Sequence, residues 1–187
     1  SGNDVLAPPK APPDLRDVSF SFLNQERRLP WPIHWNDPQW PRLWQFHLHY
    51  FDWAREWLNE ALATGIWPDQ SAALQQLLDS WIVFNPPGQG DGWHSYTLSL
   101  RTRNWVALFR TCPSLATPER LQSLWRQLCW LQAHPEDCHG GNHWLENLTA
   151  LAIGGLQFDG PKATHMHRRA MCSLQRELRQ QVLSDGG

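Results

Sequence analysis

PRLWQFHLHYFDWAREWLNEALATG, residues 41–65, is the stretch that decides the fold. Pro41 stands where a helix can begin. Leu43, Trp44, Phe46, His47, Tyr50, Phe51, Trp53, Ala54 and Trp57 then give a broad apolar surface before Gly65 offers a stop. The same period returns downstream. Leu74, Leu77, Leu78, Trp81 and Ile82 predict a helix from Ser71 to Phe84, ended by Pro86-Pro87-Gly88. Gly88 to Trp93 reads as a glycine-rich loop leading into a third helix, about Thr97 to Arg110. Pro118 opens a fourth that reaches about Ala133, a fifth starts at Asn142, and a sixth spans Lys162 to Leu183. No strand ladder and no exact repeat is evident. Val18 to Leu23 alternates around Phe20 and Phe22 and is expected to lie extended with its aromatic rings on the domain. The predicted class is all-α: antiparallel helical hairpins, stacked side by side or curved into a toroid.

Composition bounds the rest. The 187 residues suffice for one domain with a real core, and the first seventeen, with Pro8, Pro9, Pro12 and Pro13, read as an extended or disordered lead-in. The domain proper is expected over residues 18–187. A net charge of -2 gives no global attraction to nucleic acid, so any anion-binding surface must be local. No apolar run is long enough to cross a bilayer, and no apolar core of a secretory signal is visible. Thirteen tryptophans against two tyrosines exceed what a core of this size needs. Flat apolar faces with one N–H donor suit packing between helices and equally suit stacking on ligand rings. Most are expected in the core, with Trp93 and Trp105, beside polar clusters, left as candidates for ligand contact.

Four cysteines, Cys112, Cys129, Cys138 and Cys172, are compatible with two disulfides but form no dense framework. Cys129, His134, Cys138, His139 and His143 fit no familiar zinc spacing, so no metal is expected. No cofactor is implied either.

Two clusters could carry chemistry. Gly140-Gly141-Asn142-His143-Trp144-Leu145-Glu146-Asn147 puts an amide, an imidazole and a carboxylate at the start of a helix. His143, Glu146, Asn147 and Ala150 share one face by spacing, and Trp144, Leu145, Leu148, Leu151 and Ala152 serve the core. A plain reading makes Asn142 an N-cap and Glu146 a favourable first-turn charge. The other reading is the wall of a cleft that handles a substrate carboxylate. The second cluster runs from Trp93-His94-Ser95-Tyr96 to Ser99-Leu100-Arg101-Thr102-Arg103-Asn104-Trp105. Arg101 can present a forked donor set to a carboxylate or sulfate, with Trp93, Tyr96 and Trp105 as flat surfaces for a sugar ring. The plain alternative is that Arg103 is solvated and Arg101 pairs with a carboxylate at the edge of the core. His47, His49 and Tyr50 form a third group, better explained as packing.

At these residues the chain resembles the heparinase II/III-like polysaccharide lyases, including related alginate lyases. The agreeing words run in order from Phe20-Ser21-Phe22-Leu23-Asn24 through Ile33-His34-Trp35, Leu43-Trp44 and Leu48-His49-Tyr50-Phe51-Asp52. They continue with Trp81-Ile82, Asn85-Pro86, Trp93, Tyr96, Ser99-Leu100-Arg101, Asn104-Trp105, Gly141-Asn142-His143 and Leu145-Glu146-Asn147, and close on Asp185-Gly186-Gly187. The resemblance implies an incomplete α/α toroid, the N-terminal part of an enzyme that cleaves uronic-acid polysaccharides by β-elimination. It implies an acidic polysaccharide partner and export to the periplasm or beyond. It also implies a C-terminal β-sandwich that this chain lacks. Asn142 would hold the uronate carboxylate, and His143 would neutralise it or act as base. Glu146, if protonated, would help neutralise, while Trp93, Tyr96, Arg101, Asn104 and Trp105 would line the subsites. One departure matters. Relatives place an acid/base tyrosine shortly after Asp-Gly-Gly, and neither Tyr50 nor Tyr96 matches it, so a lyase fragment with part of an active site is expected. The rival expectations are a non-catalytic glycan-binding domain and, last, a glycoside hydrolase needing a second carboxylate beside Glu146, for which Asp91 is the candidate.

Overall fold

The computed structural model describes residues 17–65, 67–136 and 142–181. The bulk of the lead-in, the Gly140-Gly141 pair, Cys138, His139 and the closing Asp185-Gly186-Gly187 lie outside the described residues. Within them the fold is α-helical: α1 (Arg42–Tyr50), α2 (Asp52–Thr64), α3 (Trp67–Phe84), α4 (Ser95–Thr111), α5 (Pro118–Ala133), α6 (Asn142–Gly155) and α7 (Pro161–Gln181). Helix α4 is the hub, packed against α1, α2, α5 and α6. Helix α3 lies against α2 and α5, and α6 against α5 and α7. No helix among the described residues is long and apolar enough to cross a membrane.

Two expectations need correction. The sequence offered no strand ladder, yet β1 (Asp17–Phe22) and β2 (Gln25–Pro30) pair antiparallel, with Val18 opposite Leu29 and Phe22 opposite Gln25. Their two-residue connection, Leu23-Asn24, takes φ of 55° and 58°, the left-handed pair that matches strand twist in tight hairpins. The signal was weak because Gln25-Glu26-Arg27-Arg28 carries none of the β-branched or aromatic residues that mark a strand. The hairpin is held by its inner face. Val18, Phe20 and Leu29 are buried. Phe20 packs on Trp53 and Trp57, and Phe22 on Trp44 and His47.

The single helix expected over residues 41–65 is two. Phe51 adopts a left-handed backbone, φ 63° and ψ 22°, ending α1 and starting α2. A non-glycine residue there costs on the order of 1 kcal/mol or more. Packing compensates, because the fully buried Phe51 ring lies 4.9 Å from Trp53, 5.5 Å from Trp105 and 5.8 Å from Trp35. The break is invisible to periodicity, since Phe51 is apolar on either reading.

Buried tryptophans knit these elements together, and most place their one donor. Trp35 donates to Ser80 Oγ (3.1 Å), Trp44 to the Gln25 carbonyl (3.1 Å) and Trp53 to the Leu48 carbonyl (3.0 Å). Helix α6 approaches α5 closely at Gly154, where a Cβ would strike the Leu128 side chain. Cys112, Cys129 and Cys172 are free thiols, so the two disulfides that four cysteines allow are not formed.

Replacing Phe51 by Ala removes the ring that compensates the strained junction. We expect a loss of about 3–5 kcal/mol in urea unfolding. A midpoint equal to that of the parent protein would show that the junction is held by something else.

Candidate functional site

Four of the residues expected to line subsites, Trp93, Arg101, Asn104 and Trp105, are core. Leu98, Arg101, Trp105 and Leu108 follow one another at helical spacing on α4, and all four are fully buried. Arg101 Nε donates to Gln127 Oε1 (2.8 Å), one terminal nitrogen to the Gly92 carbonyl (2.7 Å) and the other to the His49 carbonyl (3.3 Å). Its guanidinium lies 3.8 Å from the Trp81 ring centroid. Burial holds its pKa well below the ordinary arginine value. Trp105 is wedged against Phe51 and Trp81. Trp93 stacks on Trp81 and donates to the Asn85 carbonyl at 3.0 Å. Arg101, Trp93 and Trp105 therefore hold the fold and do not face a ligand. Asn104 is also buried, and its Nδ2 donates to the Tyr50 carbonyl (2.8 Å) and Asp52 Oδ1 (2.7 Å), fastening α4 to the α1–α2 junction.

His49 is buried too. Trp81 Nε1 donates to its Nδ1 at 3.0 Å, so its other nitrogen carries the proton and faces Asn36 Oδ1 at 3.2 Å. Burial, then the nearby Arg101 charge, lowers its pKa to about 3.

What does reach the surface is a different set. Tyr96, at the start of α4, stacks on His143 of α6 with ring centroids 4.1 Å apart. His143 Nδ1 lies 3.0 Å from Glu136 Oε2, and His94 Nε2 lies 3.1 Å from Glu136 Oε1. A carboxylate accepts only, so each facing ring nitrogen carries a hydrogen, and whenever such a ring is neutral its other nitrogen is an acceptor. His143 keeps half of its side-chain surface exposed, 50%, and can be reached. One helical turn on, Glu146 pairs with Arg103 of α4. Asn142 is exposed at the first position of α6.

This surface rests on a buried clamp. Asn147, fully buried, accepts from the Glu136 backbone N–H (3.0 Å) and donates to Ser99 Oγ (2.8 Å). It thereby ties the segment bearing Glu136 to α4. Asn147 shares the helical face of His143 and Glu146 as the spacing implied, but it serves the wall from behind.

The tyrosines stay neutral phenols. Burial first, then the Glu146 and Asp52 carboxylates, raises the Tyr96 pKa against the opposing pull of Arg103. Burial, Tyr96 and Asp52 push Tyr50 up to about 12. Glu146 is paired with Arg103. Asp91, the candidate second carboxylate of a hydrolase, is gripped by Arg42 at 2.8–3.2 Å.

Thus the structure brings Tyr96, His143 and Glu146 together, sets Asn142 beside them in the chain, and removes Trp93, Arg101, Asn104 and Trp105 to the interior. Sequence reasoning missed Glu136 and undervalued His94 and Arg103. Arg101, expected at a subsite, is core, and Arg103, read as solvated, is paired with Glu146. The stripe Leu98-Arg101-Trp105-Leu108 was the signal that could have assigned Arg101 to the core. Among the described residues, no group of three or more His, Cys, Asp or Glu side chains is placed to hold a metal ion. Compared with protein-family models, with curated proteins and with solved structures, the chain matches none.

Two outcomes follow from this geometry. Glu136→Gln should release the proton from a single ring nitrogen of His143, read as mixed tautomers in imidazole nitrogen NMR, with little loss of stability. An unchanged tautomer would remove Glu136 from its orienting role. His49 gives a pH effect: the unfolded imidazole takes a proton near pH 6.5, whereas the folded one resists it down to about 3. The unfolded state is therefore favoured as pH falls through that window. At pH 5 this one group should cost the fold about 2 kcal/mol relative to pH 8. The His49 ring should still be neutral by NMR at pH 5.

Proposed function

We propose that this chain is the substrate-binding part of a polysaccharide lyase that acts on uronic-acid glycans by β-elimination, in the manner of the heparinase II/III-like enzymes it resembles. The observation that carries the reading is the exposed His143 imidazole, stacked on Tyr96 and fixed by Glu136 through Nδ1, beside an exposed amide at a helix start.

Removing the C5 proton next to a uronate carboxylate adds charge to a group that is already anionic. Donors must meet that charge before it develops. Asn142 and the first-turn N–H groups of α6 offer such donors, favoured by the positive end of the helix dipole. Arg103, about one-third exposed and paired only with the part-exposed Glu146, is a cation within reach of the same wall. The outer nitrogen of His143 accepts the C5 proton, and Glu136 stabilises the imidazolium that results. The neutral Tyr96 phenol holds a proton of the kind a departing glycosidic oxygen needs. Action on an exported glycan would place the protein in the periplasm or outside the cell.

The rivals lose their named contacts. A glycan-binding domain without catalysis was to use Trp93 and Trp105, which are buried. A hydrolase was to use Asp91, which Arg42 occupies.

The test is titration calorimetry with oligosaccharides of heparan, alginate and hyaluronan type, alongside an ultraviolet assay for unsaturated uronate. Asn142→Ala and His143→Ala should each weaken binding of at least one acidic oligosaccharide by roughly tenfold, about 1.4 kcal/mol. Lyase activity, wherever it is seen, should vanish in His143→Ala. Acidic oligosaccharides that bind both variants as tightly as the parent protein would overturn the reading.

A further inference from the structure

Away from His143, on the side of the hairpin, a hollow of ≈ 420 Å³ opens between β1, α1 and α2. Phe22, His47 and Trp57 supply aromatic rings to it, and Asp52 and Glu56 supply carboxylates. Phe20 backs Trp57 from behind, its ring parallel at 6.0 Å, so Trp57 is half-buried and held flat. Asp52 is fixed by the buried Asn104 amide at 2.7 Å. Glu56 lies one helical turn further along the same helix, and no salt bridge among the described residues engages either carboxylate.

The hollow is also joined to the candidate site by rings. Phe22 and His47 lie 5.8 Å apart, His47 and Tyr50 5.2 Å, Tyr50 and Tyr96 6.0 Å, and Tyr96 and His143 4.1 Å. Within this series Tyr50 is buried and meets both His47 and Tyr96 edge-on, so the rings are a packed connection between the two places and not an exposed stacking surface.

We propose that this hollow is a second sugar subsite, for a ring without carboxylate or sulfate, occupied by a distal unit of the glycan whose uronate lies at His143. The proposal rests on the reading of His143 given above. Its chemistry differs from that of the His143 wall. Flat ring faces take the C–H face of a sugar, and carboxylates accept its hydroxyl protons. The same two carboxylates repel an anionic unit, and no lysine or arginine is among the residues that line the hollow. A polymer alternating acidic and uncharged units would fit the His143 wall and the hollow, whereas a homopolymer of uronate would be disfavoured at the hairpin.

The experiment uses the whole chain and two ligand classes. Neutral disaccharides of glucose, galactose and mannose, and acidic oligosaccharides, are titrated while the indole resonances of Trp53 and Trp57 are followed by NMR. At least one neutral disaccharide should shift the Trp57 indole. Its affinity should fall tenfold or more in Glu56→Ala and Trp57→Ala, and stay unchanged in His143→Ala. Glu56 is exposed, so Glu56→Ala remains informative if the loss of Trp57 perturbs the hairpin. The subsite is overturned if no neutral disaccharide moves the indoles, or if Glu56→Ala binds as the parent does. Should acidic oligosaccharides still bind through His143 in that case, the lyase reading survives without the subsite. If neutral sugars bind and acidic ones do not, the lyase reading fails and the hollow stands alone.

Discussion

A buried guanidinium without a carboxylate partner holds this molecule together. Arg101 is fully buried, and every hydrogen bond it makes goes to a neutral oxygen: a side-chain amide and two backbone carbonyls. Taking such a charge out of water costs several kcal/mol. Three charge-assisted hydrogen bonds and the face of Trp81 offset that cost. The side chain reaches α1 through His49, the turn at Asp91–Trp93 through Gly92, α5 through Gln127 and α3 through Trp81. Loosening any one of these would leave part of a charge unsatisfied in the interior, so the four elements are constrained jointly. Gly92 belongs to the same constraint, since a Cβ there would sit 3.0 Å from His49 Nδ1.

The constraint reaches the surface through α4. With Arg101 and Trp105 turned inward, residues 96 and 103 emerge on the opposite side and meet α6. Ser99, also buried, hands the same order to Asn147, which fixes the backbone of Glu136. The imidazoles of His143 and His94 thus take their orientation from a carboxylate whose own position is set in the core. A hydrogen-bonded chain of this kind suits chemistry in which one ring nitrogen must be free and the other committed.

The surface is charge-matched and aromatic. Arg103 meets Glu146, Glu136 meets two imidazoles, and Arg42 meets Asp91. An incoming anion must displace or share a carboxylate partner, whereas contact with the exposed His143 ring carries no such cost. In the proposed reading, an acidic glycan would meet a few local charges beside the exposed His143 ring.

The sequence by itself determined the helical class and nearly all helix positions, because apolar residues at 3.6-residue spacing and terminal Pro or Gly are local signals. Pro118 opens α5 as read, and the Thr117 side chain before it accepts from the Arg120 N–H. It also placed Tyr96, His143 and Glu146 at helix starts. The tertiary structure decided which arginine of α4 is core and which is surface, because the spacing that lines Arg101 up with Leu98, Trp105 and Leu108 does not show the acceptors that a buried guanidinium needs. It alone revealed Glu136, which lies in no motif and gains meaning from contacts 42 and 7 residues away along the chain. It alone split the first helix at Phe51 and paired β1 with β2. Both depend on buried aromatic contacts between distant segments, and no local pattern encodes a contact whose partner is elsewhere.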